Sequence, residues 1–256
     1  MKVGFAGSGN MAAAMARGWA AGEGGPEAML FSDAGSGRAA SLAEELGGEA
    51  RANLAELGRD SDLVVLAVKP SALRQATEAL GGAAPAVVSV VGATPLARLS
   101  EALPDTPLVR AMPNLAVEVR RGLICHAPPQ NAPDELSHEV LALLGLLGRT
   151  VEIEEGLLDA ATAVMGCSPA YFALVVEVLA DAGAREGLDD ELSRELVLEA
   201  LAGTAQLLEI HHPASLRRAV ASPGGSTEAG LEELDRGGAT KAFERAVLAS
   251  MERMRP

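Results

Sequence analysis

The first half of the chain alternates short apolar runs with stretches of helix-forming residues. The apolar runs cover residues 2–6, 28–32, 63–68, 87–91 and 108–112. The helix-forming stretches between them cover residues 12–21, 38–46, 71–80 and 95–103. An unbroken apolar run such as 63–68 is typical of a strand that is covered on both faces. Strands that alternate with helices predict an α/β fold with a doubly wound, parallel sheet of the Rossmann type. Two further strands, over 122–126 and 150–153, could flank a helix over 134–147.

The pattern changes near residue 157, after which long helical patterns replace the strand-like runs. Segment 168–183 is apolar on nearly every face, and such a helix must be buried on most sides. Two more long helices are predicted over 191–210 and 240–254. A helical domain of roughly 100 residues has little room to bury such a helix internally, so we expect a subunit interface. Symmetric dimers are the commonest oligomers, and we predict an obligate homodimer.

A glycine-rich turn joins the first strand to the first helix. Gly7, Ser8, Gly9, Asn10, Met11 and Ala12 follow the apolar run 2–6 without a spacer. Strand, glycine turn and helix in this order are the fingerprint of a dinucleotide-binding fold. Gly7 permits the tight turn, Gly9 lets a pyrophosphate approach the backbone, and the helix start offers free N–H groups to it. We therefore predict a dinucleotide-binding domain over 1–153 and a helical substrate and dimerisation domain over 154–256.

The end of the second predicted strand bears on the choice of cofactor. Asp33 stands where an acidic residue would bond the adenosine ribose hydroxyls and favour NAD. Ser32, Ser36 and Arg38 could instead hold a 2′-phosphate and favour NADP. Asp33 could also be an ordinary helix cap or turn residue. The residues alone leave NAD and NADP open.

Ala67, Val68, Lys69 and Pro70 form a second candidate segment, at the end of the apolar run 63–68. Ligands of open parallel sheets bind at the carboxyl ends of strands. Lys69 is therefore either a cofactor contact or a solvated lysine at a strand end.

The loop Ser222-Pro223-Gly224-Gly225-Ser226-Thr227 is the candidate substrate site in the helical half. Two adjacent glycines can turn several N–H groups toward one point, and the helix predicted over 228–234 supplies more. Such a site suits a carboxylate, with Ser226 or Thr227 adding a hydroxyl. The alternative interpretation is a capped helix start after an ordinary turn.

Composition excludes several classes of protein. The formal charge is −14, with 35 acidic and 21 basic residues, and aromatic residues make up 2%. Both figures disfavour binding to nucleic acid or to an anionic membrane. Cys125 and Cys167 match no spacing of metal ligands, and we expect no metal. No run of 18 apolar residues and no secretory leader is recognised, so we expect a cytoplasmic protein without disulfides.

Neither a Ser-His-Asp arrangement nor a pair of carboxylates suggests itself in the chain. The helix over 168–183 also lacks a lysine, unlike the corresponding helix of 6-phosphogluconate-type dehydrogenases. A reductase without an evident acid or base can act on a substrate that arrives protonated, such as a cyclic iminium ion.

Taken together, the motifs resemble the pyrroline-5-carboxylate reductase family over essentially the whole chain. The matching segments are residues 7–12, 67–70, 112–114, 169–171 and 222–227. The resemblance implies NAD(P)H-dependent reduction of a cyclic imino acid, with L-1-pyrroline-5-carboxylate to L-proline, the last step of proline biosynthesis, as the first candidate. It implies NADP as cofactor, with NAD as the alternative. A small-molecule substrate and a homodimer, with dimers able to assemble further, also follow from it.

The resemblance also implies residue roles. Asn53 corresponds to a residue at the adenosine ribose, Ser222, Gly224, Gly225 and Ser226 to the loop that holds the substrate carboxylate, and Thr227 to a hydroxyl at the ring nitrogen. Fingerprint and resemblance together give as cofactor-binding positions Gly7, Ser8, Gly9, Asn10, Met11, Ser32, Asp33, Asn53, Ala67, Val68, Lys69 and Pro70.

Two segments depart from the family pattern. Residues 165–168 read Met-Gly-Cys-Ser where the family has Ser-Gly-Ser-Gly, and residues 115–116 read Leu-Ala where it has Thr-Pro. These changes leave open a divergent NADP-binding paralogue with a regulatory or assembly role, or a reductase of another imine or keto acid.

Overall fold

The computed structural model describes residues 1–254. The chain divides into two compact units, the first made of residues 1–167 and the segment from Met251 onward, the second of residues 168–250. The sequence places the domain boundary at 153/154, ahead of this division. That boundary stays a prediction.

The first unit is built on one eight-stranded sheet in the order β3-β2-β1-β4-β5-β6-β7-β8. The strands are β1 Lys2–Ala6, β2 Ala28–Ser32, β3 Glu49–Ala50, β4 Leu63–Leu66, β5 Val87–Ser89, β6 Leu108–Pro113, β7 Gly122–His126 and β8 Gly148–Glu152. Ala6 is in register with Ser32 on one side and with Leu66 on the other. The carboxyl ends of β1, β2 and β4 therefore meet at one edge of the sheet, where ligands of such folds bind.

The sheet is parallel except for one pair, β6 and β7, which run antiparallel. Only residues 114–121 join these strands, and they contain a short 3₁₀ helix, Leu115–Val119. A parallel connection needs a crossover of a dozen residues or more, whereas a short link suits antiparallel strands. The five strands predicted from the alternating pattern pair in parallel. The direction changes only at β7, one of the two strands that the sequence offered as additions.

Helices cover both faces of the sheet. They are α1 Asn10–Ala20, α2 Arg38–Leu46, α3 Leu54–Asp60, α4 Leu73–Leu80, α5 Leu96–Ala102, α6 Asp134–Gly145 and α7 Leu158–Ala161. One face packs against α1, α2 and α6, where Phe5 stacks on Phe31 with ring centroids 5.2 Å apart. Trp19 joins this core, and its indole N–H donates to the Leu143 carbonyl (2.9 Å). The other face packs against α3, α4, α5 and α7 through a second apolar cluster.

The second unit consists of helices. They are α8 Ser168–Arg185, α9 Asp190–Ile210, α10 Pro213–Val220, α11 Ser226–Arg236 and α12 Ala239–Met254, the last of which runs on beyond this unit. The contact between α8 and α9 is close, because the Ser193 hydroxyl donates to the Ala180 carbonyl (2.7 Å). Of the apolar side chains in residues 168–250, only Ala180 is buried in a single chain, and it is still 8% exposed. This unit therefore lacks a core of its own.

Large apolar side chains on α8 and α9 are exposed, among them Phe172, Val178 and Ile210. The stretch Glu155–Arg185 has a mean hydropathy of 1.7 over its most apolar window, and only 11% of that window is buried. By length and composition it passes the test for a membrane-spanning helix, although it contains no unbroken run of 18 apolar residues. A helix that is buried against a partner subunit passes the same test, and the sequence predicts such a subunit interface for this helix.

Candidate active site

The turn between β1 and α1 depends on Gly7. This residue has φ +98°, a conformation that side chains rarely adopt, and its N–H donates to the Ser32 carbonyl (2.9 Å). A Cβ at Gly7 would lie 2.7 Å from the Ala67 carbonyl oxygen. Gly9 is the N-cap of α1, and a Cβ added there would meet no heavy atom of the described residues within 4 Å. The turn is therefore closed behind Gly7 and open in front of Gly9.

A cleft of about 430 Å³ opens in front of this turn, between α1 and α2; we call it the α1–α2 cleft. It is lined by Ser8, Gly9, Asn10, Ala13, Arg17, Arg38, Ser41, Leu42, Glu45, Leu115 and Glu118. The Ser8 hydroxyl is buried (7% exposed) and has no hydrogen-bond partner among the described residues. A buried hydroxyl without a partner is costly unless a ligand bonds it. Together with the open start of α1, it suits a phosphate.

A second cleft, of about 230 Å³, lies on the other side of the turn; we call it the β2–β4 cleft. It is lined by Gly7, Ser32, Asp33, Ala34, Ala52, Asn53, Leu54, Val68, Ala72, Gln75, Ala76 and Ala79. The Ser32 hydroxyl is buried (1% exposed) and also lacks a partner in the described part of the chain. The small apolar side chains and few polar groups that line the β2–β4 cleft suit the adenosine half of a dinucleotide.

Asp33 does not present a free carboxylate to this cleft. One oxygen accepts from the N–H groups of Gly35 (2.8 Å) and Ser36 (3.0 Å). The other accepts from the Ser36 hydroxyl (2.6 Å) and the Ala39 N–H (2.9 Å). Burial acts to raise the pKa of Asp33, but the bonds from Ser36, Ala39 and Gly35 outweigh it and hold the pKa below its ordinary value. The carboxylate therefore caps the start of α2.

The remaining predicted cofactor positions differ in their surroundings. The Asn53 side chain accepts from the Glu56 N–H and donates to the Glu56 carboxylate (both 2.9 Å), so it caps α3 while lining the β2–β4 cleft. Met11 packs against the core. Lys69 and Pro70 are exposed and line neither cleft, whereas Val68 lines the β2–β4 cleft.

In the second unit, residues 222–225 form a tight turn ahead of α11. The Gly225 N–H donates to the Ser222 carbonyl (2.9 Å), and Gly224 has φ +73°. Pro223 followed by a glycine in this conformation is the sequence that such a turn requires. The two glycines therefore shape the turn.

Glu228 was not among the predicted site residues. Its carboxylate accepts from the Gly224 N–H (2.7 Å), so neither glycine N–H in this loop is free. The N–H groups of Ser226 and Thr227, in the first turn of α11, have no acceptor among residues 1–254. A glutamate at the third helical position is a recognisable capping signal, and it could have pointed to this residue.

A π-helical turn, Thr162–Gly166, contains the first two residues of the segment 165–168 that departs from the family pattern. The Asn114 side chain at the end of β6 donates to the Met165 carbonyl (3.3 Å) and accepts from the Leu123 N–H (3.1 Å). Such turns are frequent at functional sites. Leu115, the other departure, lines the α1–α2 cleft.

Comparison with known proteins identifies the family. A model described as pyrroline-5-carboxylate reductase dimerisation matches residues 155–256, and one described as NADP oxidoreductase, coenzyme F420-dependent, matches residues 2–93. A pyrroline-5-carboxylate reductase of Methanosarcina acetivorans is 34% identical, and the alignment covers 98% of this chain and 96% of that protein. The chain belongs to the pyrroline-5-carboxylate reductase family. A second member, from Synechocystis, is 37% identical over 77% of this chain and 76% of its own length.

A solved structure of this family has the same fold. The pyrroline carboxylate reductase of Plasmodium falciparum, determined with NADP bound, superposes with a TM-score of 0.91 at 28% identity, and 99% of this chain and 97% of that chain are covered. The α/β fold with a helical dimerisation domain is therefore confirmed. The exposed apolar faces of α8 and α9 lie within the residues that match the dimerisation model.

Proposed function

We propose that this protein reduces L-1-pyrroline-5-carboxylate to L-proline, with hydride supplied by NADPH. One observation carries the proposal: the first N–H groups of α11 have no acceptor among residues 1–254, and the Ser-Pro-Gly-Gly turn typical of this family precedes them. Two unpartnered N–H groups there match a carboxylate, which every form of this substrate carries.

The first unit binds the dinucleotide. The start of α1 and the Ser8 hydroxyl bond the pyrophosphate, and the Ser32 hydroxyl and Asn53 lie along the adenosine half. Arg38 in the α1–α2 cleft favours NADP, because a guanidinium recognises a phosphate group. When bound, the cofactor supplies the hydride.

The second unit binds the imino acid. The N–H groups of Ser226 and Thr227 bond the substrate carboxylate, and the Thr227 hydroxyl oxygen accepts from the N–H of the ring iminium. Hydride adds to the carbon of the C=N bond, and the electron pair of that bond moves to nitrogen, which already holds its proton. The reaction therefore needs no titratable acid at the nitrogen.

The assembly is a homodimer, and further association of dimers in the cytoplasm is part of the proposal. Dimerisation covers the apolar faces that α8 and α9 expose in a single chain. Larger assemblies follow only from the resemblance to the family.

Purified protein mixed with NADPH and pyrroline-5-carboxylate tests the reaction. We expect the absorbance of NADPH to fall and L-proline to appear in equal amounts. Protein that binds NADPH or NADH, yet forms no proline with either, would contradict the assignment.

The segment 165–168 supports a second candidate, a divergent paralogue with a regulatory or assembly role. The variant with Met165→Ser, Cys167→Ser and Ser168→Gly restores the family pattern. Activity gained only in this variant favours the paralogue, whereas activity in the unchanged protein excludes it. A panel of other cyclic imines and keto acids tests a changed substrate.

A further inference from the structure

An acidic residue after the second strand of this fold normally signals NAD, because its carboxylate bonds the ribose hydroxyls and repels a 2′-phosphate. Asp33 occupies that position, but its carboxylate already accepts four hydrogen bonds, from Gly35, Ala39 and, twice, Ser36. These bonds come from the loop 33–38 and from the start of α2, so they hold the ionised carboxylate against its own loop.

The loop 33–38 stands between the two clefts. Asp33 lines the β2–β4 cleft at one end of the loop, and Arg38 lines the α1–α2 cleft at the other. The loop therefore contributes one residue to each of the two clefts.

Four charged side chains line the α1–α2 cleft: Arg17, Arg38, Glu45 and Glu118. Arg17 is bonded to Glu45 (2.6 and 3.1 Å) and to Glu118 (3.4 Å). Arg38 has no ion pair within residues 1–254, and the Ser8 hydroxyl that shares the cleft is buried without a partner. Since Ser8 is assigned to the pyrophosphate, the Arg38 guanidinium remains for a second anionic group.

We propose that Asp33 is a positioning residue for NADPH, which holds the loop 33–38 so that Arg38 faces the 2′-phosphate. This inference rests on the proposed use of NADPH. It reverses the usual expectation: removal of the Asp33 carboxylate weakens NADPH binding and lowers the preference for NADPH over NADH.

The test measures dissociation constants by calorimetry for NADPH, NADH, adenosine 2′,5′-bisphosphate and adenosine 5′-monophosphate. For Asp33→Asn we expect the NADPH and bisphosphate constants to rise roughly tenfold or more, the scale of one charge-assisted hydrogen bond. The constants for NADH and the monophosphate should change much less. Glu44→Gln is the matched control, because it removes an exposed negative charge from the same helix without touching the loop.

A double variant separates positioning from a general effect on stability. If Asp33 acts through Arg38, Asp33→Asn adds little further loss of NADPH affinity in an Arg38→Ala background. Ser36→Ala, which removes one of the four bonds without changing charge, should weaken NADPH binding in the same direction but less. This variant serves where Asp33→Asn fails to fold.

Tighter or unchanged NADPH binding in Asp33→Asn overturns the inference, as does a loss that adds in full to that of Arg38→Ala. An unchanged protein that prefers NADH overturns it together with the cofactor assignment. A protein that binds NADPH with these effects but forms no proline contradicts only the proposed reaction.

Discussion

At the residue scale, the loop 222–227 separates groups that shape a site from groups that remain open to bind. Gly224 and Gly225 use their N–H groups within the loop, whereas those of Ser226 and Thr227 stay available. Residue type alone suggests the opposite, since glycines are the expected anion binders. The hydrogen-bond pattern supports the proposal that the hydroxyl residues that follow them bind the substrate.

Thr227→Ala tests the proposed contact with the ring nitrogen. As hydride adds, the ring nitrogen gains a lone pair to which the Thr227 hydroxyl can donate. A contact that becomes stronger in this way toward the transition state lowers kcat/KM when it is removed. We expect a loss of roughly tenfold to a thousandfold, the range for one well-placed polar contact. Steady-state kinetics with NADPH provide the measurement. Thr227→Ser keeps the hydroxyl and should retain most activity, and NADPH affinity should be unchanged in both. Full activity of folded Thr227→Ala would leave the loop a structural turn.

Glu228 places a negative charge beside the proposed carboxylate site. Glu228→Gln can still accept from the Gly224 N–H but removes the repulsion between two carboxylates. At an effective dielectric near that of water the gain is of order 0.5–1 kcal/mol, so KM for the imino acid should fall by roughly two- to fivefold. Glu232→Gln, one turn further along α11, is the matched control. A higher KM in Glu228→Gln would mean that its charge, or the cap, assists binding.

At the element scale, a buried ion cluster joins β6 to the segment that leads into the helical half. The Arg110 guanidinium is almost completely buried and bonds Asp159 (2.8 Å) and Glu155 (3.3 Å). Glu155 also accepts from the Leu96 N–H at the start of α5. Arg110 therefore links β6 to α7 through Asp159, and Glu155 extends the cluster to the start of α5.

Arg110→Ala should destabilise the first unit by about 3–5 kcal/mol, because it leaves two partly buried carboxylates without their partner. Thermal or denaturant unfolding measures the change. Arg74→Ala is the control, since the Arg74–Glu78 pair is exposed and should contribute less than about 0.5 kcal/mol. Equal effects of the two substitutions would refute a structural role for the cluster.

Sequence patterns predicted some elements to the residue and missed others for physical reasons. Strand β2 and helix α2 match their predicted bounds, because an apolar run and a helical stretch are separated by glycines and an aspartate. Helix α3 was missed, since seven residues with two buried are too few for a periodic signal. The strand β7 was predicted but its antiparallel direction was not, because direction depends on the length of the connection to β6, which an apolar run does not reveal.

In the candidate site, too, features set by local sequence were predictable, whereas features set by distant neighbours were not. The fingerprint residue Ser8 and the strand-end residue Ser32 both line a cleft, because local sequence sets the turns that carry them, and their cofactor contacts stay predictions. The saturation of Asp33 and the bond of Glu228 to Gly224 depend on where neighbouring donors lie, and spacing alone leaves several geometries open. Lys69 was included for its position at a strand end, but its side chain is exposed and lines neither cleft.

At the scale of the whole molecule, the two units differ in how they are stabilised. The first has apolar clusters on both faces of its sheet, whereas the second leaves most large apolar side chains of α8 and α9 exposed. Such helices are unstable in water without a partner, so folding of the second unit and association are expected to be coupled.

Val178→Asp tests this coupling. Val178 is 57% exposed on α8 in a single chain, within the residues that match the dimerisation model. In a symmetric dimer each interface position occurs twice, so the substitution would bury two unpaired carboxylates at a cost of several kcal/mol. Light scattering should show a dimer or larger assembly for the unchanged protein at micromolar concentration, and monomer or aggregate for the variant. Val119→Asp, at an exposed valine of the first unit, should leave assembly unchanged. A stable, folded and active Val178→Asp monomer would show that α8 needs no partner.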